Sequence, residues 1–491
     1  MATDATVEVD LFIGGKSLPG RSGARATVVD PATNHPLAQV AVGGTDDADQ
    51  AMEVAQSAWE SSWWASDDGG RRAKVLFRLA QLLEAQSDAF AELETRNMGK
   101  TLRESKGDIL FTVRTVEYMA GLADKIQGET IPVPGNRLDY TLREPLGVTV
   151  HISPWNYPLL LAIRSVAPAL AAGNAVVLKP ATLTPLTALR FAALAREAGL
   201  PDGILNVVVG PGREVGEALI RNPRCRSVSF TGSGEVGNRV AELAASRMVP
   251  MTLELGGKSP VIVFPDADLD RAAKAIGWGI FGNAGQMCWA ASRLIVHESV
   301  HDALLGKVSA IAAGLKVGPG LAAGSEMGPL VSRDQLERVL GFLSGARDSG
   351  ARFVQGGHRY EAAPLADGNF LAPTVLDAVP EEAPVWREEV FGPVLSTRSF
   401  QTPEEAVALA NGTPFGLFAA LWTREVGNAH SIARRLEAGM VTVNEAPVTF
   451  PQTPFGAYKG SGIGFEQGRG AVEQYTRRKN ILINLGPSPR K

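Results

Sequence analysis

Cysteine is nearly absent: Cys225 and Cys288 are the two in 491 residues. They could form at most one disulfide, which a chain long enough for large buried cores does not need, so a reducing, cytoplasmic setting is expected. Histidine is scarce as well, at six, and His35, His151, His358 and His430 are scattered. The other two lie in His297-Glu298-Ser299-Val300-His301, which matches H-E-x-x-H. Because 293–296 reads as a strand and the next helix is expected to begin near Ser299 as its N-cap, the two imidazoles would not share a helical face, and no metal site is expected. No G-x-S-x-G occurs, which argues against a serine hydrolase. The most apolar stretch, 157–172, is too short to span a bilayer and contains Arg164, so no membrane association is expected. With 48 basic and 52 acidic residues the net charge is −4, and no Lys/Arg cluster marks a nucleic-acid face. The first ten residues carry Asp and Glu instead of a basic segment followed by an apolar one, so they do not read as a signal peptide.

Glycine and proline are plentiful, at 53 and 31, with no low-complexity tract, so they mark tight turns. Domains usually hold roughly 100–200 residues, which predicts two or three here. Strand patterns at 147–152, 175–178, 204–209, 227–230, 252–255 and 261–263 alternate with helix patterns at 159–171, 187–197, 214–220 and 236–245. The strands are short, apolar and rich in β-branched residues, as parallel strands buried on both faces are, and repeated βα units of this length predict a doubly wound, Rossmann-like sheet. A second α/β block covers 257–456, with helix patterns at 268–281, 300–315, 334–345 and 403–410 and strand patterns at 293–296, 393–400, 418–422 and 440–443. The N-terminal block has helix patterns at 45–59 and 70–98. Two β-rich segments, 130–143 and 478–485, lie far apart and suit a small protruding sheet whose edge a partner subunit would cover.

Five motifs carry candidate chemistry, each with a plainer reading beside it. Ser153-Pro154-Trp155-Asn156-Tyr157-Pro158 follows a strand, where α/β sheets place ligands, and the Asn156 amide can donate to an oxyanion; the plain reading is a turn with a helix cap. Lys179-Pro180-Ala181-Thr182 ends the next strand, where a lysine reaches a ribose or phosphate or is simply solvated. Gly232-Ser233-Gly234-Glu235-Val236-Gly237 matches G-x-G-x-x-G between a strand and a helix, though it sits at the fourth βα turn and Gly210-Pro211-Gly212 competes with it. Glu254, in Leu253-Glu254-Leu255-Gly256-Gly257-Lys258, is a carboxylate in an apolar strand end: a base with a raised pKa, or a partner of Lys258 or of a backbone amide. Cys288, in Gly285-Gln286-Met287-Cys288-Trp289, is a nucleophile whose pKa nearby N–H groups would lower, or a small buried hydrophobe.

In this order, with Glu388-Glu389-Val390-Phe391-Gly392-Pro393, then Pro454-Phe455-Gly456 and Lys459-Gly460-Ser461-Gly462, the motifs resemble the aldehyde dehydrogenase superfamily over nearly the whole chain. The resemblance implies an α/β fold: a Rossmann-like cofactor domain (1–122 and 146–256), a second α/β catalytic domain (257–456), and a small β oligomerisation flap (123–145 and 457–491). It implies NAD(P)⁺-dependent oxidation of an aldehyde to a carboxylic acid by a homo-oligomer, dimer or tetramer. Cys288 matches the nucleophile, Glu254 the general base and Asn156 the oxyanion-hole amide. Lys179 matches a contact to the adenine ribose, Ser233 one to the pyrophosphate and Glu389 one to the nicotinamide ribose. Phe391 packs beside that ring, and Trp155, Thr182 and Gly232 are grouped with these cofactor contacts.

Departures from the family pattern are informative. Thr182 stands where NAD-preferring members commonly carry Glu, so NADP is expected to serve as well as NAD. Ala457 and Phe465 replace a common Gly and Arg. Tyr157 and Phe455 match two positions of the aromatic box of betaine aldehyde dehydrogenases, but Arg164 and Gly282 occupy two others. Gly282 also breaks an arginine pair common in semialdehyde-oxidising members. With Trp289 beside Cys288, an aromatic or medium-sized apolar aldehyde is expected. A carboxylate at 254 disfavours branches that pass the acyl group to coenzyme A, and Cys288, Glu254 and Asn156 together disfavour a structural, non-enzymatic member.

Overall fold

The computed structural model describes residues 7–66 and 68–486; residues 1–6, Asp67 and 487–491, which belong to the expected N-terminal and tail segments, lie outside that range. Five short apolar strands, Met251–Glu254, Cys225–Thr231, Val148–Ile152, Ala175–Lys179 and Leu205–Val207, pair in that order and in parallel. The chain enters at the central strand Val148–Ile152, moves outward one way through Ala175–Lys179 and Leu205–Val207, then returns to the other side with Cys225–Thr231. This reversal leaves a crevice beyond the carboxyl ends of Val148–Ile152 and Cys225–Thr231, the place where doubly wound sheets bind ligands. Helix Pro158–Ala171 starts on a proline, which suits a first helical position, and is buried almost all round because it lies inside the domain.

Both edges of this sheet carry strands that the sequence patterns did not anticipate. Leu11–Ile13 and Lys16–Leu18 add antiparallel at one edge, and Gly462–Ile463 adds antiparallel to Met251–Glu254 at the other. The tail beyond 456 therefore divides: Gly462–Ile463 joins the first sheet, while Thr476–Asn484 pairs antiparallel along Arg137–Pro145 in the expected protruding sheet. The helical pattern at 70–98 is two helices, Gly69–Ala85 and Ser87–Met98, broken at Gln86 (φ −108°, ψ 14°). A further helix, Leu102–Ala120, begins with a capping box in which Thr101 and Glu104 satisfy each other's backbone N–H.

The second sheet has the order Arg352–Gln355, Thr374–Asp377, Val394–Phe400, Arg293–His297, Pro260–Val263, Phe418–Trp422, Met440–Val443, all parallel except the first. Its first two strands were not legible in the sequence, and neither was helix Val426–Arg435. The expected cap at Ser299 is displaced. Residues Glu298–Val300 form a 3₁₀ turn capped by the His297 imidazole, and the α-helix starts at His301. His297 thus serves Ser299, while His301 Nε2 lies 2.9 Å from Asp377, so the two imidazoles face different partners. Among the described residues no helix is long and apolar enough to cross a membrane.

Arg293 locks this sheet from inside. Fully buried, it donates from Nε to the Lys258 carbonyl (2.8 Å) and from Nη1 and Nη2 to the carbonyls of Leu409 and Ala410 (2.8 and 2.6 Å), at the C-terminal turn of helix Pro403–Asn411. Those carbonyls have no helical partners of their own, and a cation there also complements the helix dipole. Burial lowers its pKa to about 9. Replacing Arg293 by Met keeps the volume but orphans three acceptors, each costing about 1–3 kcal/mol. Arg293→Met is expected to lower unfolding free energy by about 3 kcal/mol or more, measured by denaturant titration; a loss below about 1 kcal/mol would contradict this account.

Candidate active site

Two cavities meet at Cys288. One, of about 220 Å³, is lined by Trp155, Asn156, Gly232, Ser233, Glu254, Gln335, Arg338, Glu389 and Phe391 as well as Cys288. It occupies the crevice beyond the first sheet. The other, of about 440 Å³, reaches Cys288 from the opposite side between helices Leu102–Ala120 and Pro158–Ala171 and the segment 447–455. Its wall is mainly apolar, with Phe111, Tyr157, Leu161, Trp278, Trp289 and Phe455 prominent.

Glu254 is the last residue of its strand and only 2% exposed, and neither carboxyl oxygen has a hydrogen-bond partner. Burial raises its pKa well above the carboxylate range, Glu466 adds to the rise, and Arg164 opposes it. The plainer reading, a pair with Lys258, does not hold: Lys258 Nζ is also buried without a partner, and burial, aided by Arg293, lowers its pKa to about 7.

The thiol of Cys288 differs from expectation. The Trp289 N–H does favour its anion, but burial outweighs that and, with Glu389 and Glu254 nearby, pushes the thiol up to about 12; Arg164 is the main opposing charge. Local N–H groups were visible in the sequence, but the desolvation that overrides them is a tertiary effect. Cys225 is buried inside the first domain and is likewise pushed up to about 12 by burial.

Asn156 is buried and spends one N–H on the Gln286 carbonyl (3.0 Å), leaving the second for the cavity it lines. Trp155 and Phe391 meet edge-to-face across the 220 Å³ cavity, centroids 5.2 Å apart. Phe391 sits at φ 58°, held by Gln335 Nε2 donating to its carbonyl at 2.8 Å. Glu389 Oε1 accepts from Gly257 N–H at 3.0 Å, and partial burial raises its pKa. A Cβ at Gly256 would lie 2.2 Å from the Glu389 carboxylate and would displace that side chain.

Ser233, which also lines this cavity, caps helix Gly234–Ala245, and the first-turn N–H groups of such a helix favour an anion. Lys179 closes its strand, 5% exposed, with Nζ donating to the Pro180 carbonyl (3.3 Å), and burial lowers its pKa to about 8. The Thr182 hydroxyl donates to the Gly210 carbonyl at 3.2 Å. The lining suits a dinucleotide: a helix N-terminus for phosphate, backbone free of side chains at Gly232, and an edge-to-face aromatic pair in a cavity that also reaches Cys288.

Sequence reasoning missed several neighbours. Arg164 forms a buried ion pair with Glu466, which also accepts from Ser229 Oγ, and its guanidinium stacks on Phe455 at 4.3 Å. Nothing local links residues 164 and 466. Asn283 and Gln286 brace the loop before Cys288, and Glu104 reaches it from another domain; of these only the Thr101–Glu104 capping spacing was open to reading.

Residues 19–481 match the aldehyde dehydrogenase family. The chain is 42% identical over 481 residues to a hydroxyisobutyraldehyde dehydrogenase of Mycolicibacterium austroafricanum, covering 98% of this chain and 95% of the relative. It is 39% identical to a betaine aldehyde dehydrogenase of Bacillus subtilis, covering 97% and 98%. An NAD⁺ complex of aldehyde dehydrogenase from Bacillus cereus superposes with a TM-score of 0.95 at 38% identity, covering 98% of this chain and 97% of that one. With a half-buried cysteine at the meeting point of two cavities and this likeness along nearly its full length, the chain belongs to the aldehyde dehydrogenase family and is an enzyme of aldehyde oxidation.

Proposed function

We propose that this enzyme oxidises an aromatic or medium-sized apolar aldehyde to its carboxylic acid through a covalent intermediate on Cys288, with NAD⁺ or NADP⁺ as the oxidant. The observation that carries the reading is the single thiol at the junction of an apolar cavity and a cavity suited to a dinucleotide, with the unpartnered Glu254 carboxyl in the latter.

Cys288 Sγ bonds to the aldehyde carbon, and Arg164 favours the sulfur anion as its proton leaves to solvent. The free Asn156 N–H and the Cys288 backbone N–H hold the oxyanion; one such donor contributes about 3–4 kcal/mol to the barrier. The bound nicotinamide supplies the hydride acceptor. Cys288 is left as a thioester, and Glu254 takes a proton from the water that attacks it, releasing acid and thiol.

Substrate choice follows from how the apolar cavity treats charge. Arg164 lines it, but Glu466 compensates that charge, so a distal carboxylate gains little. A quaternary ammonium would meet the same arginine without a complete aromatic box. The aromatic walls favour a flat or aliphatic body. The two relatives named above act, by their names, on a hydroxylated and a quaternary ammonium aldehyde. For cofactor choice, Thr182 now argues by absence: its hydroxyl hydrogen is committed to Gly210, yet it brings no carboxylate to repel a 2′-phosphate. Leu138, Leu142, Leu482 and Ile483 expose apolar surface on the three-stranded sheet, whose outer strand Thr476–Asn484 has an open edge, which supports a homo-oligomer. Both thiols are free, in keeping with a reducing compartment such as the cytoplasm.

Cys288→Ala is expected to abolish aldehyde oxidation, and Cys225→Ala to retain most of it; equal losses would refute the assignment. In Glu254→Gln a rapid burst of reduced cofactor should persist while steady-state turnover falls about 100-fold or more. Because Glu254 acts ionised and burial raises its pKa, wild-type kcat should fall with decreasing pH well before the ordinary carboxylate range, and the Gln variant should lose that limb.

For the cofactor, NADP⁺ should be used efficiently, and Thr182→Glu should shift the ratio of kcat/KM values toward NAD⁺ by about tenfold, the effect of roughly 1.4 kcal/mol of repulsion. A wild type that ignores NADP⁺, or an unchanged ratio, would defeat the argument. Light scattering at micromolar concentration should report a dimer or tetramer; a 51.9 kDa particle would remove the proposed subunit contact.

A further inference from the structure

Just before Cys288 the backbone passes through the left-handed region three times in a row: Asn283 at φ 48°, Ala284 at φ 51° and Gly285 at φ 73°. Gly285 has no alternative, since a Cβ would lie 2.1 Å from the Gly392 carbonyl oxygen. Asparagine tolerates this region, but alanine does not favour it, and such a turn persists only where its surroundings over-determine it. Part of the restraint is local. Gln286 donates to the Asn283 carbonyl from its backbone N–H (3.1 Å) and its Nε2 (2.9 Å), and its Oε1 accepts from Val331 N–H at 2.9 Å.

The rest comes from one carboxylate on another domain. Glu104 Oε1 accepts from the Asn283 N–H at 2.7 Å, while Oε2 accepts from Thr101 N–H (2.9 Å) and Oγ1 (2.7 Å) in the capping box of helix Leu102–Ala120. Asn283 Nδ2 in turn donates to the Asn156 carbonyl at 3.0 Å, and Asn156 Nδ2 donates to the Gln286 carbonyl at 3.0 Å. A chain of charge-assisted and neutral hydrogen bonds therefore runs from Glu104 through Asn283 to Asn156 on one branch and to the loop carrying Cys288 on the other.

We propose that Glu104 is a positioning residue: it holds the left-handed turn 283–285 so that the free N–H of Asn156 and the sulfur of Cys288 address the same carbonyl group. The cap it makes at the same time is separable from this role, because Thr101 bonds to the cap and to Glu104 Oε2 but not to Asn283. The proposal rests on Cys288 as nucleophile and Asn156 as oxyanion donor.

The test compares Glu104→Ala, Glu104→Gln and Thr101→Ala in the full-length enzyme. Both alanine variants break the capping box and should lose similar amounts of thermal stability. Only Glu104→Ala should slow the pre-steady-state burst of reduced cofactor, by about tenfold or more, with KM for aldehyde and cofactor changing less than about threefold. Glu104→Gln keeps one acceptor and should recover part of the burst rate. Equal burst rates in the two alanine variants, or a defect confined to KM, would overturn the proposal. If Glu104→Ala does not fold, Glu104→Gln against Thr101→Ala decides: a burst in the Gln variant as fast as in Thr101→Ala would overturn it. An active Cys288→Ala enzyme would instead overturn the reading on which it rests.

Discussion

The link 255–259 runs from Glu254, the last residue of a strand in the first sheet, to Pro260, the first residue of a strand in the second. So short a connection forces the carboxyl end of one parallel sheet against the amino end of the other. Glycine keeps side chains out of it: a Cβ at Gly257 would lie 2.5 Å from the Cys288 carbonyl oxygen, and one at Gly256 would displace the Glu389 carboxylate. The link is pinned from outside as well. Ser461 Oγ donates to the Gly256 carbonyl at 2.7 Å, the Ser461 carbonyl accepts from Leu255 N–H at 2.8 Å, and Glu389 accepts from Gly257 N–H. The Lys-Gly-Ser-Gly segment of the tail is thus a fastener for the seam between sheets, and Glu254 and Cys288 come together because the seam is closed.

Closing the seam removes water, and this sets the electrostatics. Almost every ionisable group there is pushed toward its neutral form: Glu254 and Cys288 upward, Lys258 and Lys179 downward. The exception is Arg164, whose guanidinium is held in its charged form beside Glu466 and near both Glu254 and Cys288. A desolvated carboxyl with no hydrogen-bond partner is costly to fold, and its persistence fits a group kept for proton transfer. Burial holds the Cys288 thiol toward its neutral form, and Arg164 is the main charge that opposes it.

The doubly wound first sheet and the second α/β block were legible because their strands are short, apolar and β-branched and bounded by turn residues, whereas 130–143 and the tail showed only as β-rich segments far apart in the chain. The N-terminal strands, Arg352–Gln355 and the extra helices escaped notice. Val7–Val9 and Lys16–Leu18 are three residues long and largely exposed, so they carry no alternation to read, and Arg352–Gln355 is a half-buried edge. The break at Gln86 was hidden because no Gly or Pro marks it.

The sequence by itself determined which residue types stand at the ends of which strands: a lone cysteine after a glycine turn, a carboxylate before two glycines, an asparagine between prolines. These are local patterns, and local rules of turn and strand chemistry suffice to find them. Only the tertiary structure decided their chemical state and their companions. The rise of the Cys288 pKa depends on how much water the folded site excludes, the pairing of Arg164 with Glu466 joins residues 302 positions apart, and the Glu104 contact to Asn283 crosses from one domain to the other. Desolvation and long-range contact arise only when separate segments pack together, and no window along the chain contains them.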